Sequence, residues 1–219
     1  MLTATKPREY LTDNFIGTDE GCGIFIPANR MLYQLVRENP SNTDPAQIAS
    51  KALIIGRSLA ASAERRRVKG DSVSSGSFYH VLAESISKSM VEELLQLLPE
   101  KGAITRSSIT DVVKVHARLC EAVTGLTDRD CSSFASKYLH FHRPNHFPMM
   151  DSRARIALKW LADEEEWVFA FTASRSAKNY RHYVSIYLDA KELFELELQK
   201  SLSLRQMDNI LLNRYDNWI

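Results

Sequence analysis

Cysteine is scarce in this chain and poorly placed for cross-linking. Cys22, Cys120 and Cys131 are an odd, scattered set with no CxxC spacing. That excludes a disulfide framework or a zinc ribbon and points to reduced thiols in a cytosol. No run approaches the roughly 18 consecutive apolar residues that a membrane span needs. The opening MLTATKPREYLTDNF also lacks the apolar stretch of a secretory signal. The expectation is a cytoplasmic protein without a membrane partner. An excess of one charge is missing too: 28 Lys and Arg face 27 Asp and Glu, for a net charge of +1. The molecule as a whole is therefore no polycation built for nucleic acid, and any such contact must come from a local patch. Glycine (8) and proline (7) are few, and most stand where helices would end. Internal repeats and low-complexity segments are absent.

What is present is an ordinary globular composition, 44% hydrophobic and 25% charged over 219 residues, enough for one large domain with a core. Apolar residues recur with helical spacing through most of the chain. A helix is expected over residues 43–63, carrying Ile48, Ile55 and Leu59 inward, and another over 78–98, closed by Pro99 and Gly102. Ser108 and Asp111 read as a capping box opening a helix that ends before Gly125. Thr127 and Asp130 read as a second box, opening a helix to His142. Further helices follow Pro148 (ARIALKWLA) and occupy the C-terminal third. There NYRHYVSIYL is ambiguous, with β-branched and aromatic character, and is assigned helix from its neighbours. Only GIFIPA reads as a strand or extended arm. The expectation is a single all-α domain over 1–219, of eight to ten helices, with a cleft near Asp151.

The chemistry concentrates in SKYLHFHRPNHFPMMDSRARIAL, residues 136–158. His140 and His142 are two apart, on opposite sides of a helix. His146 is cut off from them by Arg143-Pro144, so the i, i+4 geometry of helical metal sites is broken. No metal and no cofactor is expected. Asp151 reads two ways: as the N-cap of the next helix, paired with Arg153 or Arg155, or as a catalytic carboxylate held ionised by that helix N-terminus.

Two helices joined by a short Gly-containing turn, then a loop FPMMD leading into a third helix, resemble the core of the helix-hairpin-helix DNA glycosylases. The likeness is to the 8-oxoguanine glycosylase branch, including OGG-like proteins of bacterial antiphage systems, and covers residues 108–158. It implies a DNA-binding hydrolase in which Asp151 stabilises an oxocarbenium ion and Lys137 acts as nucleophile. In this chain the hairpin stretch GLTDRDCSSFA has a single glycine. Lys137, 14 residues before Asp151, falls about one helical turn later than the family's lysine, a position nearer Ser133. Ser133, His140 and His142 are the candidate pocket residues.

Arg57, Arg65 and Arg66, within IIGRSLAASAERRR, join Arg153 as candidate phosphate contacts, because guanidinium groups fork onto phosphate oxygens. The expected partner is a nucleic acid, DNA ahead of RNA, or a nucleotide. A second possibility is Arg175-x6-His182, which fits the loose motif of HEPN ribonucleases and would work at the seam of a homodimer. A third is a non-catalytic scaffold or nucleic-acid-binding protein.

Overall fold

The computed structural model describes residues 11–64, 75–127, 130–165 and 177–217. Among these residues there is no strand, and ten α-helices pack as one all-α domain. In chain order they are α1 (Asp13–Ile16), α2 (Ile26–Glu38), α3 (Pro45–Ser58), α4 (Ser75–Ser87), α5 (Val91–Gln96), α6 (Ile109–Val123), α7 (Ser132–His142), α8 (Ser152–Glu164), α9 (Ala177–Leu198) and α10 (Leu204–Asn217). No helix is long and apolar enough to cross a membrane, among the described residues.

The centre of the domain is α7. Every residue from Phe134 to Phe141 is buried, the polar Ser136, Lys137 and His140 included. A helix buried on all sides must pack against neighbours all round, and α7 does so against α2, α3 and α6. Around it, α3 pairs with α4, α6 with α9, and α8 with α10. Stacking of Trp160 on Tyr215 marks the α8–α10 seam. The Arg214–Glu164 ion pair closes the same seam.

Several boundaries depart from the sequence expectations for physical reasons. GIFIPA is no strand: Gly23–Phe25 form a 3-10 turn and Ile26 begins α2. Pro27 suits that place, since a helix's first turn needs no amide donor and its ring already holds a helical φ. The helix expected over 78–98 is two, α4 and α5, hinged at Met90 with φ +62°. The serine hydroxyls break it: Ser87 donates to the Glu84 carbonyl and Ser89 to the Ile86 carbonyl. Those bonds compete with the amides that would continue the helix. The helix expected over 43–63 stops at Ser58, followed by Ala60 at φ +53°. Its cap is Asp44, which accepts from the Ala46 amide.

Before α6 the reciprocal cap is made by Thr105 and Ser108 around a 3-10 turn rather than by Ser108 and Asp111. Asp130, not Thr127, meets the start of α7, accepting from the Ser132 amide at 2.9 Å. Gly125, at φ +94°, takes the left-handed position after α6. The ambiguous NYRHYVSIYL lies inside the unbroken 22-residue α9. There Tyr180, Tyr183 and Tyr187 share one fully buried face, and burial of that face overrides the strand-like composition.

Candidate functional site

The three pieces expected to carry chemistry, the end of α3, the middle of α7 and the start of α8, meet at one cavity of about 530 Å³. Its lining includes Leu59 and Ala60 from the α3 end, Asp130, Ser132, Ser133 and Lys137 from the approach to α7 and α7 itself, and Met150 to Arg153 with Arg155. At its wall the Lys137 Nζ lies 2.9 Å from Asp151 Oδ2 and donates to the Leu59 carbonyl at 3.0 Å. The pair is nearly enclosed, with side chains 9% and 19% exposed.

Asp151 uses its two oxygens differently. Oδ1 accepts from the Ala154 amide at 3.0 Å and so caps α8, while Oδ2 takes the lysine. Burial pushes the carboxyl up, but the Lys137 charge and the amide outweigh it and hold Asp151 below the usual carboxylate range. The cap expected of this residue is realised, and the cation on Oδ2 is Lys137. Arg153 instead reaches Asp216 of α10 at 3.5 Å.

A tight turn presents the Leu59 carbonyl. The Ala61 amide donates back to Gly56 at 2.8 Å. A side chain at Gly56 would meet the Ser62 backbone at 3.2 Å, so the close approach depends on that glycine. The small-residue run of IIGRSLAAS thus serves a backbone crossing beside the cavity.

The structure brings together Asp151, Lys137, Ser133 and Arg153. It does not bring His140 or His142 to the cavity. His140 lies beneath it, 1% exposed, with Nδ1 at 2.9 Å from the Phe147 carbonyl and Nε2 at 2.8 Å from the Tyr33 hydroxyl. The carbonyl can only accept, so Nδ1 carries the proton and Nε2 accepts from Tyr33. Burial and the Arg205 charge lower its pKa to about 3, so the ring is neutral. His142 faces another cluster, 3.4 Å from the Asn42 amide nitrogen and against the Tyr138 ring. Asn42 also accepts from Tyr138 and from the buried Lys51. His140 is a core residue whose polar atoms organise backbone and side chains, while His142 is half-buried.

Arg57 does not line the cavity. It is half-exposed and paired with Glu64 at 3.0 Å, and α3 ends one residue beyond it, at Ser58. Arg65 and Arg66 lie outside the described residues, as does Arg175 of the R-x6-H pair. His182 lines a separate hollow of about 370 Å³ with Ile109, Arg181 and Ser185. Among the described residues no group of three or more His, Cys, Asp and Glu gathers as a set of metal ligands.

Sequence reasoning missed the backbone carbonyl of Leu59, the approach residues Asp130 and Ser132, and the tyrosines of α9. Tyr180 and Tyr183 are buried, donating to the carbonyls of Pro148 and Met149. No spacing rule signals such contacts, because each joins residues more than 30 positions apart. No family model, curated protein or solved structure matches the chain.

Proposed function

We propose that this chain is a glycosylase-like enzyme that cleaves the N-glycosidic bond of a purine base or nucleotide in nucleic acid, DNA ahead of RNA. The observation that carries the reading is the Lys137–Asp151 pair, 2.9 Å apart on the wall of an open polar cavity. A volume of about 530 Å³ lies within the roughly 300–1,000 Å³ common for small-ligand sites. The loop Phe147-Pro148-Met149-Met150-Asp151 and the helix it opens are where this chain resembles the helix-hairpin-helix glycosylases.

The residues suit the chemistry. As the glycosidic bond breaks, its electron pair leaves with the base, which takes up a proton, and positive charge grows on the sugar. A carboxylate that stays ionised against burial stabilises that charge. Asp151 is held in this state by its cap and its lysine. The sugar carbon is then taken either by water, which gives its proton to solvent or to Asp151, or by the Lys137 amine after it has lost a proton. The second route gives an amine adduct that becomes a Schiff base as the sugar's ring C–O bond breaks, its oxygen taking up the proton the amine loses. Ser132, Ser133, Arg153 and Arg155 supply hydroxyls and cations around the opening, suited to sugar and phosphate oxygens. A base inside a duplex must be flipped out, at a cost on the order of a few kcal/mol. Phage defence in a bacterial cytosol is the setting the resemblance suggests.

The test is borohydride trapping with oligonucleotides carrying 8-oxoguanine, uracil or an abasic site, using wild type, Lys137→Ala and Asp151→Asn. A covalent adduct lost in Lys137→Ala establishes the lysine as nucleophile. Base release without an adduct, abolished in Asp151→Asn, establishes the hydrolytic route. Neither release nor adduct from any of the three substrates overturns the proposal.

A further inference from the structure

The loop that delivers Asp151 is held by its own carbonyls. Residues 147–149 lie in no helix or strand, yet three consecutive carbonyl oxygens are each met by a different buried side chain. Phe147 accepts from His140 Nδ1 at 2.9 Å, Pro148 from the Tyr180 hydroxyl at 3.0 Å, and Met149 from the Tyr183 hydroxyl at 2.7 Å. The next residue, Met150, donates its amide to Ser136 Oγ at 3.0 Å. The donors come from α7 and α9, on two sides of the loop. A buried carbonyl left without a partner is costly, so the four bonds fix both path and register of the segment ending at Asp151. Tyr180, Tyr183 and His140 are each no more than 1% exposed, and His116 stacks flat on Tyr180 with ring centres 3.7 Å apart. The donors themselves therefore have little freedom to move.

We propose that Tyr180 and Tyr183 of α9 are positioning residues for Asp151, setting through the Pro148 and Met149 carbonyls where its carboxylate stands relative to Lys137 and the cavity. This rests on the glycosylase reading for its kinetic consequence, though not for its structural one. His140 holds the beginning of the loop in the same way, and Ser136 the end. A displacement of about 1 Å in a reacting group lowers rates by as much as about a hundredfold, which is the order of effect available to residues that never touch substrate.

The row on α9 supplies its own control. Tyr187, on the same buried face, donates its hydroxyl to the Leu204 carbonyl at 2.6 Å, away from the loop. Tyr→Phe at 180, 183 or 187 deletes one buried hydroxyl and strands one carbonyl, so all three variants lose stability alike. Only the first two disturb the loop. Two quantities are to be measured in each full-length variant: the titration of the Asp151 carboxyl by carbon NMR, and kcat and KM for base release. In Tyr183→Phe and Tyr180→Phe the Asp151 titration moves up toward the ordinary carboxylate value, and kcat falls about ten- to a hundredfold at little-changed KM. In Tyr187→Phe both readouts stay at wild type. If Tyr180→Phe and Tyr183→Phe behave as Tyr187→Phe does, the positioning role is overturned. If wild type releases no base from any oligonucleotide, the glycosylase reading fails, and the Asp151 titration alone still decides the positioning role.

Discussion

At the scale of the residue, Asp151 and Lys137 are each other's condition for being buried. A carboxylate and an ammonium with side chains 19% and 9% exposed have lost most of their hydration, and removing one partner strands the other's charge. Lys137→Met leaves Asp151 with the Ala154 amide and the α8 N-terminus. Asp151→Asn leaves the lysine with neutral acceptors alone, the Leu59 carbonyl among them. Each single change is expected to cost about 3 kcal/mol of unfolding free energy, with Asp151→Asn the worse because no other anion contacts Lys137 among the described residues. The double variant should cost less than the sum, since both charges are gone; urea unfolding of the four proteins gives the coupling directly. Additive losses would mean that the ion pair contributes nothing beyond its parts. The pH dependence has a definite sign. Asp151 has a folded pKa below its ordinary value, so its stabilisation is complete above the usual carboxylate range and is lost as pH falls through the lower folded value. Lys137→Met raises the folded value and so shrinks that loss.

At the scale of the element, the junction between α4 and α5 carries a strain that is easily tested. Met90 is 56% exposed and sits at φ +62°, a conformation costly for a side chain bearing a Cβ and free for glycine. Met90→Gly is expected to raise stability by about 1 kcal/mol, read as an increase in urea midpoint at unchanged slope. A fall would mean that the methionine side chain stabilises the junction more than its backbone strains it. The same junction shows what could be read in advance and what could not. Helical periodicity gave the class and most of the elements, because the positions that recur at i, i+3 and i+4 are those the core buries: Ile48 and Ile55 in α3, Val112 and Leu119 in α6, Leu158 and Leu161 in α8. The interruptions were less legible, since a periodic stripe such as Val81 to Leu98 continues across a break made by serine hydroxyls. GIFIPA failed differently: four apolar residues in six look like a strand, while Pro27 at the helix start and Leu32 and Val36 beyond it decide for α2. Of the site, Asp151, Lys137, Ser133 and Arg153 were visible as polar residues in a motif. The Leu59 carbonyl was not, because a backbone group has no signature in sequence. His140 was visible as a residue type but not as a core residue, since α7 is buried on the face that would otherwise be its polar one.

At the scale of the whole molecule, the packing of α6 against α7 holds histidines of both helices in their neutral form, and this sets how the fold answers acid. Burial lowers His116 to about 4 against its bond to the Ser132 carbonyl. His140 falls to about 3 through burial and Arg205, and burial with the Lys51 charge lowers His142 further. For each, the unfolded chain takes up a proton near pH 6.5 while the folded one does not. Stability is therefore lost progressively as pH falls below about 6.5. One buried group opposes this. Burial raises Asp208 to about 6, so its carboxyl binds a proton in the folded state first, and its contribution grows as pH falls from about 6 toward its ordinary value. At pH 5.5 each histidine costs roughly 1.4 kcal/mol, one pH unit below its unfolded pKa, and Asp208 returns somewhat less than one such unit. The balance over these four groups is a loss of about 3 kcal/mol between pH 7.5 and 5.5, measurable as a falling urea midpoint. A His140→Gln variant, which retains a donor and loses the charge change, should lessen the loss of stability at pH 5.5 by one histidine's share, roughly 1.4 kcal/mol. An equally steep loss in that variant would mean that His140 takes no part in the acid response.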